Sequence, residues 1–497
     1  MAATSTTPQL ELPLRLERSR IPVHVQIAEQ LRRAIRQGLL TPGTRLPSTR
    51  SVATTLGISR NRVVQAYEEL FSEGYLVGRT GSGTYVEQSL PDVSRLRQPV
   101  SVSTAGMPRW LHTGERPAGA EAFGGLPEPG TIVFRLGTPA MEPFPQEVWQ
   151  RVWKRVGQER LPGTYGTLSG DPELCRELAA YLGRARGIAC APQDIIITSG
   201  TSQALRLLAL AALKPGDRIG FEEPGYPTAR QVFRAHGAKL VPVPVDDDGL
   251  QVHALPGDAE APLMVYVTPS HQYPLGSRLS IARRLALLEW AETSDSLIIE
   301  DDYDSEFRYD ALPLSALAGL DRSGRVAYLG TFSKVLTPTL RLGYLVAPPP
   351  LREEIERLKQ RNCLSNYAAS WPVQRALALL LAQGHLERHI RHMRRLYAEK
   401  RAILSNILAP LSHLARLRGL EAGLHAYLAL HSDLDPQRIL ARARERKVIV
   451  TALDAYYLGA PDRNGLLLGY GGLPLEELSR GVQILAEVIA EQAHQGD

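Results

Sequence analysis

The sequence predicts an α/β fold, a mainly parallel sheet with helices on both faces, followed by a smaller C-terminal α+β domain. Apolar runs alternate with helix-forming segments between residues 194 and 347, and such alternation is typical of parallel sheets. A helix-turn-helix spacing near the start adds an N-terminal domain. We expect domains at 1–87, 131–350 and 351–497, with a flexible linker rich in Pro, Gly, Ser and Arg at 88–130.

The composition is that of an ordinary globular protein. Of 497 residues, 44% are hydrophobic and 22% are charged, which leaves ample apolar material for a core. We find no apolar run of about 18 residues and no signal peptide, and the three cysteines show no metal-ligand spacing. These patterns predict a cytoplasmic protein without a membrane segment or a metal site.

The pattern of residues 20–86 predicts a winged helix. Apolar residues recur at every fourth position over 23–35, Ser48 is placed to cap a short second helix, and Ser59 is placed to cap a third. Residues 74–79 and 84–86 are typical of two strands joined by a glycine-rich turn. The basic excess of this region, eleven arginines against seven acidic residues in the first 90, is by itself only weak support for nucleic-acid binding, because solvated surfaces often show as much.

The start of the third helix is more specific than the charge. Arg60, Asn61 and Arg62 follow one another there, and recognition helices read bases from their first residues, with arginine suited to guanine and asparagine to adenine. A small helical cap with a β-hairpin would leave this crowding unexplained. Residues 20–86 resemble the winged helix of GntR-type regulators. The resemblance implies contacts to double-stranded DNA by Arg50, Arg60, Arg62 and the wing tip around Gly83.

A lysine follows one of the predicted strands in the second region. The apolar run 326–329 precedes Lys334, which places this lysine where open α/β sheets bind ligands and where it can form a Schiff base. The hydroxyl of Thr331 and the guanidinium of Arg341 could both reach a phosphate on the same ligand. This combination suggests pyridoxal phosphate, whereas the alternative is a solvated lysine with an arginine paired to a carboxylate.

Two upstream segments favour the cofactor. The predicted strand at 296–300 leads into Asp301, Asp302 and Tyr303, and a carboxylate under a pyridine nitrogen keeps that nitrogen protonated. The predicted strand at 194–198 leads into small residues at a helix N-terminus, which is a ready anion site. Further strands are expected at 218–221, 262–267 and 342–347, and in the smaller domain at 425–430, 448–451 and 466–470.

From about residue 130 to the end, the chain resembles fold-type I pyridoxal-phosphate enzymes of the aspartate aminotransferase family. The resemblance implies Lys334 as the internal aldimine, and Asp301 rather than Asp302 as the partner of the pyridine nitrogen. It places Tyr303 near the ring hydroxyl and Tyr226 on the ring face. The residues that it implies for the phosphate are Gly200, Thr201, Ser202, Thr331, Ser333 and Arg341, with Tyr165 reaching the phosphate of a neighbouring subunit.

A GntR-type winged helix joined to an aminotransferase-like domain resembles the MocR/GabR-type group of transcription regulators over nearly the whole sequence. That resemblance implies a head-to-tail homodimer, in which each winged helix lies against the large domain of the partner subunit.

Two departures from the aminotransferase pattern bear on activity. The asparagine expected before Pro-x-Gly is replaced by Tyr273, so either His271 or Gln272 would contact the ring hydroxyl, or His271 only caps a strand end. The arginine expected near the last strand is missing from 465–470. Arg463 is the nearest substitute, although a loop arginine there is more often solvated.

Without a bidentate carboxylate clamp, the Cα–H bond of an amino acid would be poorly oriented for transamination. We therefore expect a regulator in which a small amine, an amino acid or pyridoxal phosphate itself is sensed and the spacing of the DNA-reading helices changes. Transamination is expected to be weak or absent. The alternatives are an active aminotransferase with an accessory winged helix and a regulator without cofactor, the latter disfavoured by Lys334, Asp301 and Arg341. The sequence leaves open the effector, the operator and the sign of regulation.

Overall fold

The computed structural model describes residues 12, 14–17, 21–79, 81–88, 128–164, 166–309, 315–361 and 370–494. The chain divides into two compact units, one within residues 1–114 and the other within 115–497. Most of the predicted linker, 89–127, lies outside the described residues, and the predicted boundaries at 87, 130 and 350 stay predictions. In the described part of the chain, no helix has the length and apolarity to cross a membrane.

The first unit contains three helices and an antiparallel hairpin, as the sequence predicts. Its elements are α1 (Val23–Arg36), α2 (Thr49–Leu56), α3 (Arg60–Ser72), β1 (Leu76–Arg79) and β2 (Gly83–Val86). The Ser48 side chain accepts a hydrogen bond from the Ser51 amide at 3.2 Å and caps α2 as expected. Ser59 occupies the cap position of α3, but its side chain makes no capping bond.

A single arginine links α1 to α3. Arg32, whose side chain is 12% exposed, donates to Glu69 at 3.0 Å and to both carboxylate oxygens of Glu73 at 2.6 and 2.8 Å. It also pairs with Glu29 on its own helix. The hydrogen bond to Glu73 raises the pKa of Arg32, so the guanidinium stays charged and holds the two helices together.

The second unit is built on an eight-stranded sheet. Its strands are β4 (Ile195–Thr198), β5 (Arg218–Glu223), β6 (Lys239–Asp246), β7 (Gly249–Leu250), β8 (Met264–Val267), β9 (Leu297–Asp302), β10 (Val326–Thr331) and β11 (Gly343–Val346), in the order β4-β11-β10-β9-β8-β5-β6-β7. Strands β5, β6, β8, β9 and β10 pair in parallel, whereas β11 is antiparallel to both neighbours. The predicted mainly parallel sheet is confirmed.

Strand β6 was not predicted from the sequence. Pro242 and Pro244 lie within this strand, and a proline cannot donate to the ladder, which counts against a strand. The strand forms near the edge of the sheet, where only the two-residue β7 lies beyond it.

The remaining strands form two smaller groups. A four-stranded antiparallel sheet contains β12 (Ala415–Arg418), β13 (His425–Leu430), β16 (Gly465–Gly469) and β15 (Thr451–Ala452), while β3 (Ile132–Val133) pairs in parallel with β14 (Val448–Ile449). The single strand predicted at 448–451 is therefore wrong, because β14 and β15 belong to different sheets.

Helices cover the sheets of the second unit. They are α4 (Gln146–Val156), α5 (Pro172–Arg186), α6 (Thr201–Ala212), α7 (Pro227–Ala235), α8 (Ile281–Thr293), α9 (Leu317–Leu320), α10 (Pro349–Arg361), α11 (Trp371–Ala382), α12 (His385–Leu408), α13 (Pro436–Glu445) and α14 (Leu475–His494). Separate apolar cores lie on the two faces of the large sheet: Ile196 and Ile299 belong to one, whereas Ile298 belongs to another.

The Arg32 contacts yield a stability prediction with a neighbouring control. Arg32→Ala should lower the free energy of unfolding of the first unit by about 1–2 kcal/mol, because it removes several charge-assisted bonds whose carboxylates are partly exposed. The Arg33 side chain is 63% exposed, and its ion pair with Glu29 is long, at 4.0 Å. Arg33→Ala should therefore change the free energy of unfolding little. Hydrogen exchange of the α1 and α3 amides in the full chain measures both. Equal protection in the two variants would contradict the role given to Arg32.

Candidate cofactor and DNA-binding sites

Lys334 lies in the turn immediately after β10, where the sequence predicts it. Its Nζ donates to the Gly137 carbonyl at 2.7 Å, and Gly137 has φ 67°. A Cβ atom at residue 137 would lie 2.7 Å from this nitrogen, so a larger residue there would require the lysine side chain to shift. Burial lowers the pKa of Lys334, although Asp304 and Asp301 oppose the shift. A larger fraction of the amine is therefore neutral and nucleophilic.

Asp301 and Asp302 end β9, and their surroundings differ. Asp301 Oδ2 accepts from the Tyr266 hydroxyl at 2.6 Å, and its Oδ1 is buried without a hydrogen-bond partner among the described residues. Asp302 Oδ2 accepts from the Tyr328 hydroxyl at 2.7 Å and pairs with Arg186. The Oδ1 of Asp302 also has no hydrogen-bond partner within the described ranges, but the ion pair with Arg186 balances the charge of this carboxylate.

The electrostatics separate the two carboxylates further. Burial raises the pKa of Asp301 to about 7, against the opposing effects of Tyr266 and Lys334. A buried carboxylate with an unsatisfied oxygen fits a protonated pyridine nitrogen, which would supply both a hydrogen bond and a positive charge. Asp301 therefore meets the requirement that Asp302 does not.

The predicted phosphate residues meet at one end of the sheet. Gly343 of β11 pairs with Thr331 on one side and with Thr198 on the other, so the turns after β4 and β10 and the residues before β11 are neighbours. Gly200, with φ 108°, is the N-cap of α6, whose first two residues are Thr201 and Ser202.

Arg341 lies over the same turn. A Cβ atom at Gly200 would be 3.5 Å from Arg341 Nη2. The arginine is exposed, and within the described part of the chain its side chain makes no hydrogen bond or ion pair. Its φ of 48° lies in the left-handed region, which few non-glycine residues adopt. A helix N-terminus and a free guanidinium together fit a phosphate.

Ser333 and Tyr165 complete the set of predicted phosphate residues. The Ser333 amide donates to Thr331 Oγ1 at 3.1 Å, so both residues belong to the same turn. Tyr165 lies outside the described residues.

Three tyrosine rings pack together beside the predicted phosphate residues. The rings of Tyr226 and Tyr303 lie 5.3 and 5.7 Å from the Tyr273 ring. Asp301 raises the pKa of Tyr226 in addition to the larger effect of burial. The Tyr303 hydroxyl donates to the His271 carbonyl at 2.9 Å.

The structure commits both proposed substitutes for the missing asparagine to protein partners. Gln272 Nε2 donates to the Pro224 carbonyl at 2.8 Å, and its Oε1 accepts from the Leu275 amide at 3.0 Å. His271 Nδ1 lies 2.9 Å from Asp304 Oδ2. A contact from either side chain to the cofactor stays a prediction.

One group in the described residues has the ligand atoms for a metal ion. The ligand atoms of His271, Asp304 and His425 lie within 4.8 Å of one another, and all three residues are buried. His271 and Asp304 already bond to each other. The absence of a metal site stays a prediction.

Arg463 is not free to take the place of the missing arginine. Its Nη2 donates to the Val245 carbonyl at 3.0 Å, and its Nη1 lies 3.6 Å from Asp247. Strand β16 is fully buried and contributes only glycine and leucine.

The predicted DNA-reading residues of α2 and α3 are exposed in the first unit. Arg60, Asn61 and Arg62 are exposed in the first turn of α3, and Arg50 is exposed on α2. Arg60 Nε donates to Thr49 Oγ1 on α2 at 3.4 Å. Arg50 and Arg60 line a surface cavity between the two helices of the helix-turn-helix.

Arg45, which was not predicted to contact DNA, lies against the wing tip. Gly83 begins β2 with φ 122°. A Cβ atom there would lie 3.2 Å from Arg45 Nε, so this exposed arginine lies against the tip. Arg45 precedes the second helix in the sequence, and the backbone pairing of residues 43–46 with β2 brings it to the wing.

In the second unit, three residues that contact the candidate site were not predicted from the sequence: Gly137, Tyr266 and Arg186. Each contacts a predicted residue through a tertiary contact between segments distant in sequence. The only sequence signal was the turn pattern around Gly137, which does not reveal its partner.

Comparison with known families matches both units. The model described as "Aminotransferase class I and II" matches residues 133–464, and the model "Bacterial regulatory proteins, gntR family" matches residues 24–86. Among solved structures, Pyrococcus horikoshii kynurenine aminotransferase in complex with PMP has a TM-score of 0.68 and 28% identity, covering 81% of this chain and 98% of its own. Thermus thermophilus LysN, complexed with N-(5'-phosphopyridoxyl)-L-leucine, has a TM-score of 0.68 and 26% identity, covering 77% and 96%.

Full-length relatives join the same two regions. The probable rhizopine catabolism regulatory protein MocR of Rhizobium meliloti is 37% identical over 472 residues, covering 94% of this chain and 93% of its own. The HTH-type pyridoxine biosynthesis transcriptional regulator PdxR of Corynebacterium glutamicum is 38% identical over 464 residues, covering 93% and 95%. With a GntR-type winged helix followed by a class I and II aminotransferase domain, this chain belongs to the family of MocR-type HTH transcriptional regulators.

Proposed function

We propose that this protein is a pyridoxal-phosphate-dependent transcription regulator that binds double-stranded DNA and senses a small amine, an amino acid or pyridoxal phosphate itself. The observation that carries the proposal is the presence of two separate sites in one chain. Arg60, Asn61 and Arg62 are exposed at the start of α3. Lys334 lies near Asp301, whose buried Oδ1 has no hydrogen-bond partner in the part of the chain that the structure describes. Relatives named as regulators of rhizopine catabolism and pyridoxine biosynthesis support it.

The cofactor would be held by residues around one end of the sheet. Pyridoxal phosphate supplies an electrophilic carbonyl that reacts with amines and a ring that withdraws electrons. Lys334 would attach it covalently, Asp301 would hold the proton on its ring nitrogen, and Tyr226 and Tyr303 would orient the ring. The phosphate would be bound by Gly200, Thr201, Ser202, Thr331, Ser333 and Arg341, with Tyr165 from a neighbouring subunit if the chain forms the proposed homodimer.

An active aminotransferase with an accessory winged helix is the second candidate. The similarity to an aromatic-amino-acid aminotransferase of Thermococcus litoralis, 31% identical over 366 residues, favours it. The commitment of Arg463 to Val245 and Asp247 counts against it, because no arginine then remains on that loop to orient a carboxylate. Steady conversion of amino acids to keto acids, with DNA binding indifferent to them, would support the enzyme instead.

Lys334→Ala should abolish covalent retention of the cofactor. After pyridoxal phosphate is added and the protein is reduced with borohydride, mass spectrometry should find the label on the peptide that contains Lys334 in wild type and no such label in the variant. Lys214→Ala, which changes an exposed lysine, should behave as wild type. A label of equal yield on another lysine of the Lys334→Ala protein would show that the attachment residue is misassigned.

Asp301→Asn should weaken cofactor binding by roughly ten- to a hundredfold, because it removes a charge-assisted hydrogen bond worth about 1.5–3 kcal/mol. Equilibrium titration with pyridoxal phosphate measures the effect. Asp302→Asn should act differently and lower the free energy of unfolding by about 3 kcal/mol, because it removes the carboxylate charge that pairs with the buried Arg186. If the two variants exchanged these phenotypes, Asp302 would be the cofactor partner.

Arg62→Ala should reduce the affinity for the protein's own upstream DNA about tenfold, because a base or phosphate contact is lost. Fluorescence anisotropy at several salt concentrations is the measurement. Arg33→Ala removes an exposed arginine of α1 and serves as the charge-matched control. An equal loss in both variants would indicate that only net charge matters and that α3 is not the reading helix.

A further inference from the structure

We propose that Tyr273 and Tyr456 make the ligand site selective for primary amines that lack a carboxylate beside the amino group. The inference rests on the proposed function, because it names the effector class of the same site. It arises from the side chains that occupy the two places where an amino acid would need polar partners.

The charges near Lys334 do not suit an α-carboxylate. The groups that influence its pKa, besides burial, are the carboxylates of Asp304 and Asp301. Two arginines that could serve as a carboxylate clamp, Arg463 and Arg230, have other partners. Arg463 is bound to Val245 and Asp247.

Arg230 is likewise committed. It donates to the Glu222 carbonyl at 3.0 Å, to Glu223 Oε2 at 2.8 Å and to the Tyr456 carbonyl at 2.7 Å. Arg341 lies at the turn assigned to the phosphate. An α-carboxylate that entered the site would lose its hydration without gaining the guanidinium of Arg463 or of Arg230.

Tyr273 fills the place of the expected asparagine with an aromatic ring. Its ring lies 5.3 Å from that of Tyr226, 5.4 Å from that of His425 and 5.6 Å from that of Tyr456. The interplanar angles of these three pairs are 80°, 64° and 61°. Position 273 therefore presents an aromatic ring to the proposed cofactor site, whereas the expected asparagine would present an amide.

Tyr456 is held against Tyr273 by its backbone. Its carbonyl accepts from Arg230 Nη1 at 2.7 Å and from the Gly225 amide at 3.1 Å. Glu223 Oε1 accepts from the amides of residues 458 and 459 at 2.5 and 2.9 Å. The segment 456–459, which we call the aromatic strap, is thus fastened beside Tyr226 at four points.

This arrangement discriminates by charge. The faces of tyrosine rings attract an ammonium group and accommodate an apolar chain, whereas they offer no compensation to a desolvated carboxylate. A monoamine or diamine gains contacts at Tyr273 and Tyr456. The corresponding amino acid must place its carboxylate against the same rings.

The test compares each amine with the amino acid that differs from it only by the carboxylate. Full-length protein loaded with pyridoxal phosphate is titrated with ethylamine and alanine, cadaverine and lysine, and tyramine and tyrosine. Cofactor absorbance gives the dissociation constant, and anisotropy of labelled upstream DNA gives the coupled response. In at least one pair, the amine should bind about tenfold more tightly than the amino acid.

Variants of two adjacent tyrosines assign the selectivity to the strap. Tyr456→Ala should reduce the preference for the amine to less than threefold, whereas Tyr456→Phe, which keeps the ring, should retain it. The Tyr457 hydroxyl donates to Asp462 at 2.5 Å, so Tyr457→Ala is the matched control and should also retain the preference. Retention of the full preference in Tyr456→Ala would remove this residue from the proposal.

The outcomes separate this inference from the proposed function. If the amino acids bind as tightly as their amines, the selectivity is refuted. If neither class alters the absorbance while pyridoxal phosphate alone changes DNA affinity, the inference is wrong and the proposed function holds with the cofactor as effector. If the protein binds neither the cofactor nor DNA, the proposed function itself fails.

Discussion

The buried ion pair between Arg186 and Asp302 fixes the end of β9, and the arrangement of the cofactor site depends on it. Successive side chains of a strand point to opposite faces. Once Asp302 is held by Arg186 and Tyr328, Asp301 must face the other way, toward Tyr266 and Lys334. Two adjacent carboxylates therefore have different roles: Asp302 forms an ion pair with Arg186, whereas Asp301 forms no ion pair among the described residues and is available to a cationic ligand group.

The antiparallel strand β11 brings the phosphate residues together. If β4 and β10 were directly paired, there would be no place between them for the chain that supplies Arg341. Because β11 lies between them, this arginine reaches the turn at Gly200, beside the N-terminus of α6. The topology of the sheet thus combines a helix dipole and a guanidinium from segments more than a hundred residues apart.

Local patterns predicted the parts of the molecule that local forces determine. The apolar runs of β9 and β10, the cap at Ser48 and the position of Lys334 after a strand all followed from residues close in sequence. Strand β6 was missed because its prolines contradict the local rule, and β14 and β15 were merged because only tertiary pairing separates them. The contacts of Gly137 and Tyr266 were likewise inaccessible, since a spacing pattern does not state which distant segment will adjoin it.

The way in which the aromatic strap is fastened has an evolutionary consequence. Arg230 and Glu223 bind the carbonyl and amide groups of 456–459, and these groups are present whatever side chains the segment carries. Substitutions at Tyr456 can therefore change the surface presented to a ligand without releasing the segment. A lineage of such proteins could acquire new ligands through single codon changes here, while the backbone hydrogen bonds that hold the segment stay intact.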